Sequence, residues 1–188
     1  MRFITWCLGI TCTPLWIFTL SSNAFDIKLT HQQIKEASEY GAKYKGKDVF
    51  ESPVVKLACF GEYPKGDGGV IMSKYIQTAV VSAMRAMKDQ AITPEDIKEI
   101  EESITFNVVV SVEDEGIQAP EEVQIILKQG TNNILPLKTE FGMKYKDKRR
   151  GIVGTFQYEK INPRANTAIV VKTKKGENKY KIDFSDVK

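Results

Sequence analysis

Residue types that most often carry catalysis or bind metals are scarce in this sequence. The chain of 188 residues has one histidine, His31. Zinc sites draw on several histidine and cysteine ligands, so the sequence predicts neither a metal site nor a bound cofactor. A serine–histidine–aspartate triad would have to use His31, and no Gly-x-Ser-x-Gly turn is present to carry its serine. His31 falls in the first turn of a predicted helix, which indicates an ordinary exposed histidine.

Long apolar runs are also scarce, and the single one lies at the N-terminus. A positive start is followed by residues 3–20, almost all apolar or small, and Ala24 completes a small-residue cleavage pattern. This layout predicts a secretory signal peptide over residues 1–24, and hence an extracytoplasmic protein, periplasmic or secreted. The alternative is a retained membrane anchor, but the run is short for a spanning helix and contains Gly9 and Pro14.

Neither sign of charge dominates. The 27 basic and 24 acidic residues give a net charge of +3, and nucleic-acid binding, which needs concentrated positive charge, is not expected. Cys59 is the one cysteine beyond the predicted signal peptide, so no internal disulfide is expected. The alternation in PVVKLACFGEY predicts a strand over residues 53–60 that buries Cys59 as an unreactive thiol.

The stretch CFGEYPKGDGG, residues 59–69, has part of the glycine spacing of a phosphate-binding loop. Gly61 and Gly66 are placed correctly, but Asp67 stands where a lysine is required and Gly68 where a hydroxyl is required. An aspartate at that position would repel the anion. The stretch therefore predicts no nucleotide site, only a flexible connection from a strand to the following helix.

Residues 25–103 are predicted to be mainly helical. A first helix begins after Thr30, which forms a capping box with Gln33, and buries Ile34, Ala37 and Gly41. A second helix is predicted over residues 70–88. Its apolar stripe contains Met72, Ile76, Ala79, Val80, Ala83 and Met87, and its polar stripe contains Lys74, Gln77, Thr78, Arg85 and Lys88.

A third helix is predicted to start after Thr93, which can cap it. Pro94 suits the first helical position because its missing N–H costs nothing there. Glu95 and Asp96 meet the positive end of the helix dipole.

From residue 104 the apolar period changes from 3.6 to 2, which predicts β-strands. Alternating apolar positions include Ile104, Phe106, Val108, Val110 and Val112, then Val123, Ile125 and Leu127, then Ile152, Phe156 and Tyr158, and finally Ile169, Val171, Tyr180, Ile182 and Phe184. Pro136 places its segment at a sheet edge or a bend. Residues 104–188 are therefore predicted to form an antiparallel β-sandwich of immunoglobulin-like size, with six to seven strands.

The predicted fold class is α+β, with N-terminal helices packed on or beside this sandwich, either as a neighbouring unit or within one shared core. The immunoglobulin cysteine–tryptophan–cysteine signature is missing, because both tryptophans lie in the first 24 residues. The sandwich prediction therefore rests on the number and spacing of the strands.

The densest group of cations is KYKDKRR, residues 144–150, between strands predicted at 134–139 and 152–158. Its basic members are Lys144, Lys146, Lys148, Arg149 and Arg150. They form a candidate patch for an anionic partner such as lipid headgroups, lipopolysaccharide or another acidic polymer. The alternative is a solvated hairpin whose lysines protect a sheet edge from aggregation.

The densest group of carboxylates is VEDEG, residues 112–116, at the end of a predicted strand. Consecutive side chains in a strand diverge, and the spacing of Glu113, Asp114 and Glu115 matches no calcium-binding loop. The group is therefore interpreted as a solvated acidic turn.

Taken together, these patterns predict a non-enzymatic extracytoplasmic accessory protein that contacts another cell-envelope component, a protein or an envelope polymer. Membrane contact is expected only through an uncleaved N-terminus or through the basic residues 144–150. One alternative is a small secreted hydrolase that uses carboxylates or a serine–histidine pair. The other is a carrier whose helix over residues 70–88 covers an apolar pocket for a lipid or another small ligand.

Overall fold

The computed structural model of the chain describes residue 25 and residues 27–114, 116–145, 147–184 and 186–187. The predicted signal peptide, residues 1–24, lies outside the described residues, and so do Glu115 and Lys146. None of the helices within the described ranges has the length and apolar character needed to cross a membrane.

The described residues form four helices and nine strands. The helices are α1 (His31–Ala42), α2 (Pro53–Lys56), α3 (Lys74–Ala86) and α4 (Pro94–Glu102). The strands are β1 (Cys59–Gly61), β2 (Gly68–Met72), β3 (Thr105–Glu113), β4 (Gln124–Gln129), β5 (Asn132–Ile134), β6 (Lys138–Lys144), β7 (Arg149–Gln157), β8 (Thr167–Thr173) and β9 (Gly176–Ile182). All strand pairs are antiparallel, and they form a sheet ordered β1-β2-β3-β7-β6 and a sheet ordered β5-β4-β8-β9. The predicted class is thus confirmed as α+β with a sandwich-like pair of sheets.

One hydrophobic core joins the helices to both sheets. Ala79 of α3, Phe106 of β3 and Ile169 of β8 belong to the same cluster of buried side chains. Strands β1 and β2 precede residue 104 but pair into the sheet that contains β3. Residues from the two predicted halves therefore contribute to the same core.

The predicted helix starts at α1 and α4 are confirmed. Thr30 and Gln33 form the capping box of α1, which buries Ile34. Thr93 caps α4, whose first residue is Pro94. Both starts are confirmed because capping depends on residues within one turn of the chain.

Asp96 closes a local network at the start of α4. Both of its oxygens accept hydrogen bonds from Arg85, Nη2 at 2.7 Å and Nε at 2.9 Å. The backbone N–H of Thr93 donates to it at 3.0 Å. Arg85 first, and then Thr93, lower the pKa of Asp96 to about 2. The carboxylate therefore links α3 to the N-terminus of α4.

We expect Asp96→Asn to lower the free energy of unfolding at neutral pH. The folded-state pKa is about 2 and the ordinary value is 3.8, so the stabilisation from Asp96 is complete above about pH 4 and is lost as the pH falls to about 2. Denaturant unfolding at a series of pH values should show a shallower acid loss in Asp96→Asn than in the wild type. Glu95→Gln in the same turn is the matched control and should keep the wild-type slope. Parallel wild-type and Asp96→Asn curves over this range would contradict the assignment.

The strand predicted over residues 53–60 is wrong for most of its length. Residues 53–56 form the short helix α2, with Pro53 in its first turn. Val55 is fully buried but Leu57 is 58% exposed, so the expected alternation does not occur. Only Cys59–Gly61 is a strand, and Cys59 is half-buried beside the Val55 carbonyl. Burial, followed by the charge of Asp48, raises the pKa of its thiol to about 12, which disfavours the reactive thiolate.

The prediction of one helix over residues 70–88 is wrong at its start. Residues 68–72 form β2, and α3 begins only after Ser73, whose side chain accepts a hydrogen bond from the backbone N–H of Ile76. A Cβ on Gly69 would lie 2.2 Å from the carbonyl oxygen of Val109, so the glycine allows close pairing with β3. Residues 59–69 therefore form a hairpin between two strands and do not connect a strand to a helix.

The polar and apolar stripes predicted for this helix are also partly wrong. The pattern predicts that Lys74 and Thr78 face solvent, but both are buried. The Lys74 ammonium donates to the Glu101 carbonyl and lies 5.6 Å from the centre of the Tyr158 ring. The pattern also predicts that Met87 lies in the core, but it is 63% exposed. The contact with α4 decides the orientation of Lys74, because the Glu101 carbonyl lies in the last turn of that helix.

The strands after residue 104 follow the predicted alternation closely. Phe106, Val108, Val110 and Val112 are buried along β3, whereas Ile104 precedes the strand and is 72% exposed. The predicted segment around Pro136 proves to be two strands, β5 and β6, which lie at the edges of different sheets. Pro136 lies in the connection between the sheets, as expected for a residue that cannot donate a ladder hydrogen bond.

Candidate functional site

An apolar groove of about 700 Å³ lies on the five-stranded sheet. It is open to solvent, and its floor includes Val109 and Val153, which are cross-strand partners on β3 and β7. Both valines are half-buried, although their neighbour Val70 on β2 is fully buried. We call this feature the outer-face groove; its lining residues are Asp48, Phe50, Glu51, Tyr63, Pro64, Lys65, Met72, Val109, Gly142, Met143, Tyr145, Asp147 and Val153.

Aromatic residues build one side of the outer-face groove. Phe50 and Tyr63 meet edge to face, with ring centres 5.5 Å apart. The hydroxyl of Tyr63 lies 3.3 Å from that of Tyr145, which follows β6. This contact links the turn between β1 and β2 to the end of β6. Burial, followed by the hydrogen bond to Tyr145, raises the pKa of Tyr63, so its hydroxyl stays protonated.

Met143 of β6 lines the groove from the opposite edge of the sheet and is 73% exposed. The pairing of β6 with β7 is irregular between Phe141 and Lys144, where a bulge interrupts the register. Bulges re-aim side chains near sheet edges. Among the described strands, β6 pairs only with β7, so its other edge has no described strand beside it.

Charged residues around the outer-face groove are mostly acidic. Asp48, Glu51 and Asp147 supply three carboxylates, against one ammonium from Lys65. Lys65 pairs with Glu51 at 2.7 Å, and its hydrogen bond lowers the pKa of Glu51. Asp48 accepts a hydrogen bond from the backbone N–H of Phe50 at 2.9 Å. The groove thus combines an apolar floor with a rim of negative charge.

The basic residues predicted as an anionic-partner patch do not form one free cluster. Arg149 has an 11% exposed side chain, pairs with Asp67 and donates to the Ser111 hydroxyl at 2.9 Å. Arg150 pairs with Asp114 at 3.3 Å and lies 4.1 Å from the centre of the Phe141 ring.

The lysines of the predicted patch are placed differently from its arginines. Lys144 also approaches Asp114, at 3.6 Å. Lys148 is exposed in the turn, and Lys146 lies outside the described residues. Partner binding by this cluster stays a prediction, and its two arginines already satisfy carboxylates inside the fold.

The acidic residues of the 112–116 turn make separate ion pairs. Glu113 pairs with Lys175, and Asp114 holds Lys144 and Arg150. In the part of the chain that the structure describes, no group of three or more metal-ligating side chains gathers at one point. His31 is exposed at the start of α1.

Sequence reasoning missed the residues that line the outer-face groove. Tyr63 and Pro64 belong to the glycine-rich stretch, whose spacing resembles a phosphate-binding loop and indicates no apolar surface, and Phe50 lies in a segment without a clear helix or strand period. A usable signal was the short segment FGMKY, in which Phe141, Met143 and Tyr145 alternate beside the basic cluster. The floor of the groove depends on strand order, which the residues alone do not specify.

Comparison of the chain with protein-family models, with curated proteins and with solved structures finds no match.

Proposed function

We propose that this chain is a non-enzymatic extracytoplasmic accessory protein whose outer-face groove binds an apolar segment of another cell-envelope protein. The observation that carries the proposal is the open apolar groove, lined by the exposed Met143 and by aromatic side chains. Exposed apolar surface with a polar rim is typical of protein-binding sites. The extracytoplasmic location is part of the same proposal and rests on the N-terminal sequence.

The dimensions of the groove favour a helical segment as the occupant. Its lining residues lie on or beside four neighbouring strands, β2, β3, β7 and β6. Three spacings between strands amount to about 14 Å. An α-helix with its side chains is about 10–12 Å across. The width therefore suits one helix laid with its apolar face on Val109 and Val153.

The charge of the rim favours a partner with basic residues beside its apolar face. Lys65 is engaged by Glu51, which leaves the carboxylates of Asp48 and Asp147 facing solvent. Complementary charge at a rim increases the association rate and gives salt dependence more than it adds affinity. Binding should therefore slow as the ionic strength rises.

The two alternative functions have weaker support. A hydrolase with a carboxyl general acid needs that group to hold a proton near neutral pH, whereas Lys65 lowers the pKa of the groove residue Glu51. A serine–histidine hydrolase would have to use His31, which is exposed at the start of α1. A small-ligand carrier has one favourable observation, since the groove volume of about 700 Å³ falls in the range of small-molecule sites. An open groove on a sheet, however, leaves much of a small ligand in water.

The immunoglobulin-like character of the sandwich belongs to the same proposal. Residues 104–188 supply the seven strands β3 to β9, the number in a constant-type immunoglobulin domain. Strands β1 and β2 add two further strands to one sheet.

Photo-crosslinking from the groove tests the proposed function. A benzophenone amino acid at position 143 should give a crosslinked protein product in native envelope extracts, because Met143 lines the groove. The same amino acid at position 84 is the matched control, since Met84 is 59% exposed on α3. The captured protein should then bind the purified chain at least about tenfold more weakly when the chain carries Met143→Lys. Met84→Lys should bind normally.

Three results would overturn the proposal. They are the absence of a product from position 143, the same products from positions 143 and 84, and full binding by Met143→Lys. If the purified protein instead carries a small apolar molecule in the groove, that result would support the alternative function of a small-ligand carrier. Because Met143 is mostly exposed, Met143→Lys should fold normally, and circular dichroism checks this.

A further inference from the structure

We infer that the outer face of the four-stranded sheet is a second interaction surface, which docks on a lipid bilayer that contains anionic headgroups. The inference goes beyond the proposed function and uses a different sheet. The surface is formed by β4, β8 and β9, and its cations are separated in sequence by up to 53 positions, from Lys128 to Lys181. We call it the lysine face.

Strand register brings three lysines together on this face. Lys128 of β4 pairs across the sheet with Ala168 of β8, and Ala168 pairs with Lys181 of β9. Because adjacent strands are about 4.8 Å apart, Lys128 and Lys181 have backbones about 10 Å apart. Lys179 precedes Lys181 by two residues, so it points the same way, about 7 Å along the strand. All three lysines are exposed.

The same face also carries apolar residues. Ile126, Val170 and Lys179 form the next cross-strand row. Ile126 is half-buried, and Val170 and Ala168 are buried, with 5% and 8% of their surfaces exposed. Contact with a bilayer would therefore depend on the charge of the exposed lysines and not on insertion of apolar side chains.

The three lysines are free of ion pairs within the described part of the chain. Two carboxylates lie two residues from these lysines along the chain: Glu177, which pairs with Lys172 at 3.0 Å, and Asp183, which lines a shallow pocket together with Lys179 and Lys181. Lys174 and Lys175 in that turn are also paired, with Glu122 and Glu113.

This arrangement differs from that of the 144–150 cluster, where Arg149 and Arg150 are committed to carboxylates. The density of basic residues along the sequence therefore does not identify the cations that lack ion pairs. They are brought together by strand pairing on the lysine face.

The shape of the surface favours a bilayer over a soluble polymer. Adjacent pleated strands give a broad surface, so the three ammonium groups spread over an area and do not line a channel. A planar array of anionic headgroups can meet all three at once, and each lysine near such a surface strengthens binding by about a factor of five. Together the three lysines should contribute about a hundredfold preference for anionic over neutral lipid.

Vesicle binding tests the inference. The full chain is mixed with sedimentable vesicles of phosphatidylcholine alone, or with about one third phosphatidylglycerol, and the bound fraction is measured at low and high salt. The wild type should prefer the anionic vesicles, and salt should weaken that preference. The triple variant Lys128→Gln, Lys179→Gln, Lys181→Gln should lose about a hundredfold of the preference. The N-terminal apolar segment is the same in every variant, so it cannot account for differences between them.

A matched control carries the same change in charge elsewhere. The variant Lys43→Gln, Lys47→Gln, Lys88→Gln removes three exposed lysines near α1 and α3 and should keep most of the preference. Full preference in the lysine-face variant, an equal loss in the control, or no preference in the wild type would each overturn the inference. So would loss of binding in Lys144→Gln, Lys148→Gln alone, or tight binding of a soluble acidic polysaccharide without vesicle binding.

Discussion

Replacing Phe106 by alanine is expected to lower the free energy of unfolding by about 3–5 kcal/mol. The side chain is 1% exposed in the middle of the core. Its ring meets Phe25 edge to face at 4.8 Å and stacks on Phe156 at 5.8 Å. Tyr158 packs against it at 5.0 Å. Truncation removes these contacts and leaves a cavity that rigid strands on both sides cannot close.

The effect of Phe106→Ala should extend to Phe25 and to the C-terminal residues. Phe25 also packs on Phe184, and its backbone N–H donates to the Val187 carbonyl at 3.0 Å. Loss of Phe106 therefore removes a partner from the contact that joins residue 25 to the C-terminal residues. Hydrogen exchange should show faster exchange there, together with the lower unfolding midpoint in denaturant.

Ile104→Ala is the matched control for Phe106→Ala. The sequence pattern places both residues on one face, but Ile104 is 72% exposed. Its truncation should change stability by no more than about 0.5 kcal/mol. Similar losses from the two variants would contradict the assignment of Phe106 to the core.

Gly41→Ala is expected to destabilise the protein by about 2–3 kcal/mol, although alanine is the better helix former. Helices α1 and α3 cross closely at this residue. A Cβ at position 41 would lie 2.0 Å from the Ala79 carbonyl oxygen and 2.8 Å from the Ser82 Cβ. Alanine gains about 1 kcal/mol of helix propensity, but the overlap involves backbone and forces the helices apart. The Ser82 hydroxyl, which donates to the Ser38 carbonyl at 2.6 Å, would lose its partner.

Ala42→Gly at the next position measures the effect of helix propensity on stability without the steric overlap. Ala42 is exposed, so this change should cost no more than about 1 kcal/mol. Thermal and denaturant unfolding of both variants gives the comparison. A stabilised Gly41→Ala variant would show that the two helices can separate without loss, and the close crossing would then contribute nothing.

If both surfaces act, the chain has two separate points of contact. The outer-face groove offers apolar surface with an acidic rim, and the lysine face offers cations on the other sheet. The two proposals fail separately, because Met143→Lys changes only the groove and the lysine-face variant changes only β4 and β9. Loss of vesicle binding with normal partner binding, or the reverse, would distinguish them.

Features that depend only on neighbours along the chain could be predicted from the residues. The capping residues Thr30 and Thr93 satisfy backbone N–H groups within one turn, so their helix starts could be predicted. The two-residue period after residue 104 identified the buried side of β3, including Phe106 and Val110. It does so because successive side chains in a strand point to opposite faces of the sheet. These features gave the α+β class and the strand-rich second half.

Strand pairing and core packing assign each ambiguous apolar segment to a helix or a strand. Residues 68–72 fit a helix or a strand by composition, and pairing with β3 made them a strand. Lys74 is buried where its ammonium donates a hydrogen bond to the Glu101 carbonyl, a contact between residues 27 positions apart. Arg149 and Arg150 are neighbours in sequence, yet they are directed to different carboxylates, Asp67 and Asp114.

Both candidate surfaces share this origin. The floor of the outer-face groove joins Val109 to Val153, and the lysine face joins Lys128 to Lys181 across β8. Strand order and register are set by the whole core, and a shift of one residue would turn each of these side chains to the other face of its sheet. Local pattern fixes which residues alternate, and the packed fold fixes which of them meet.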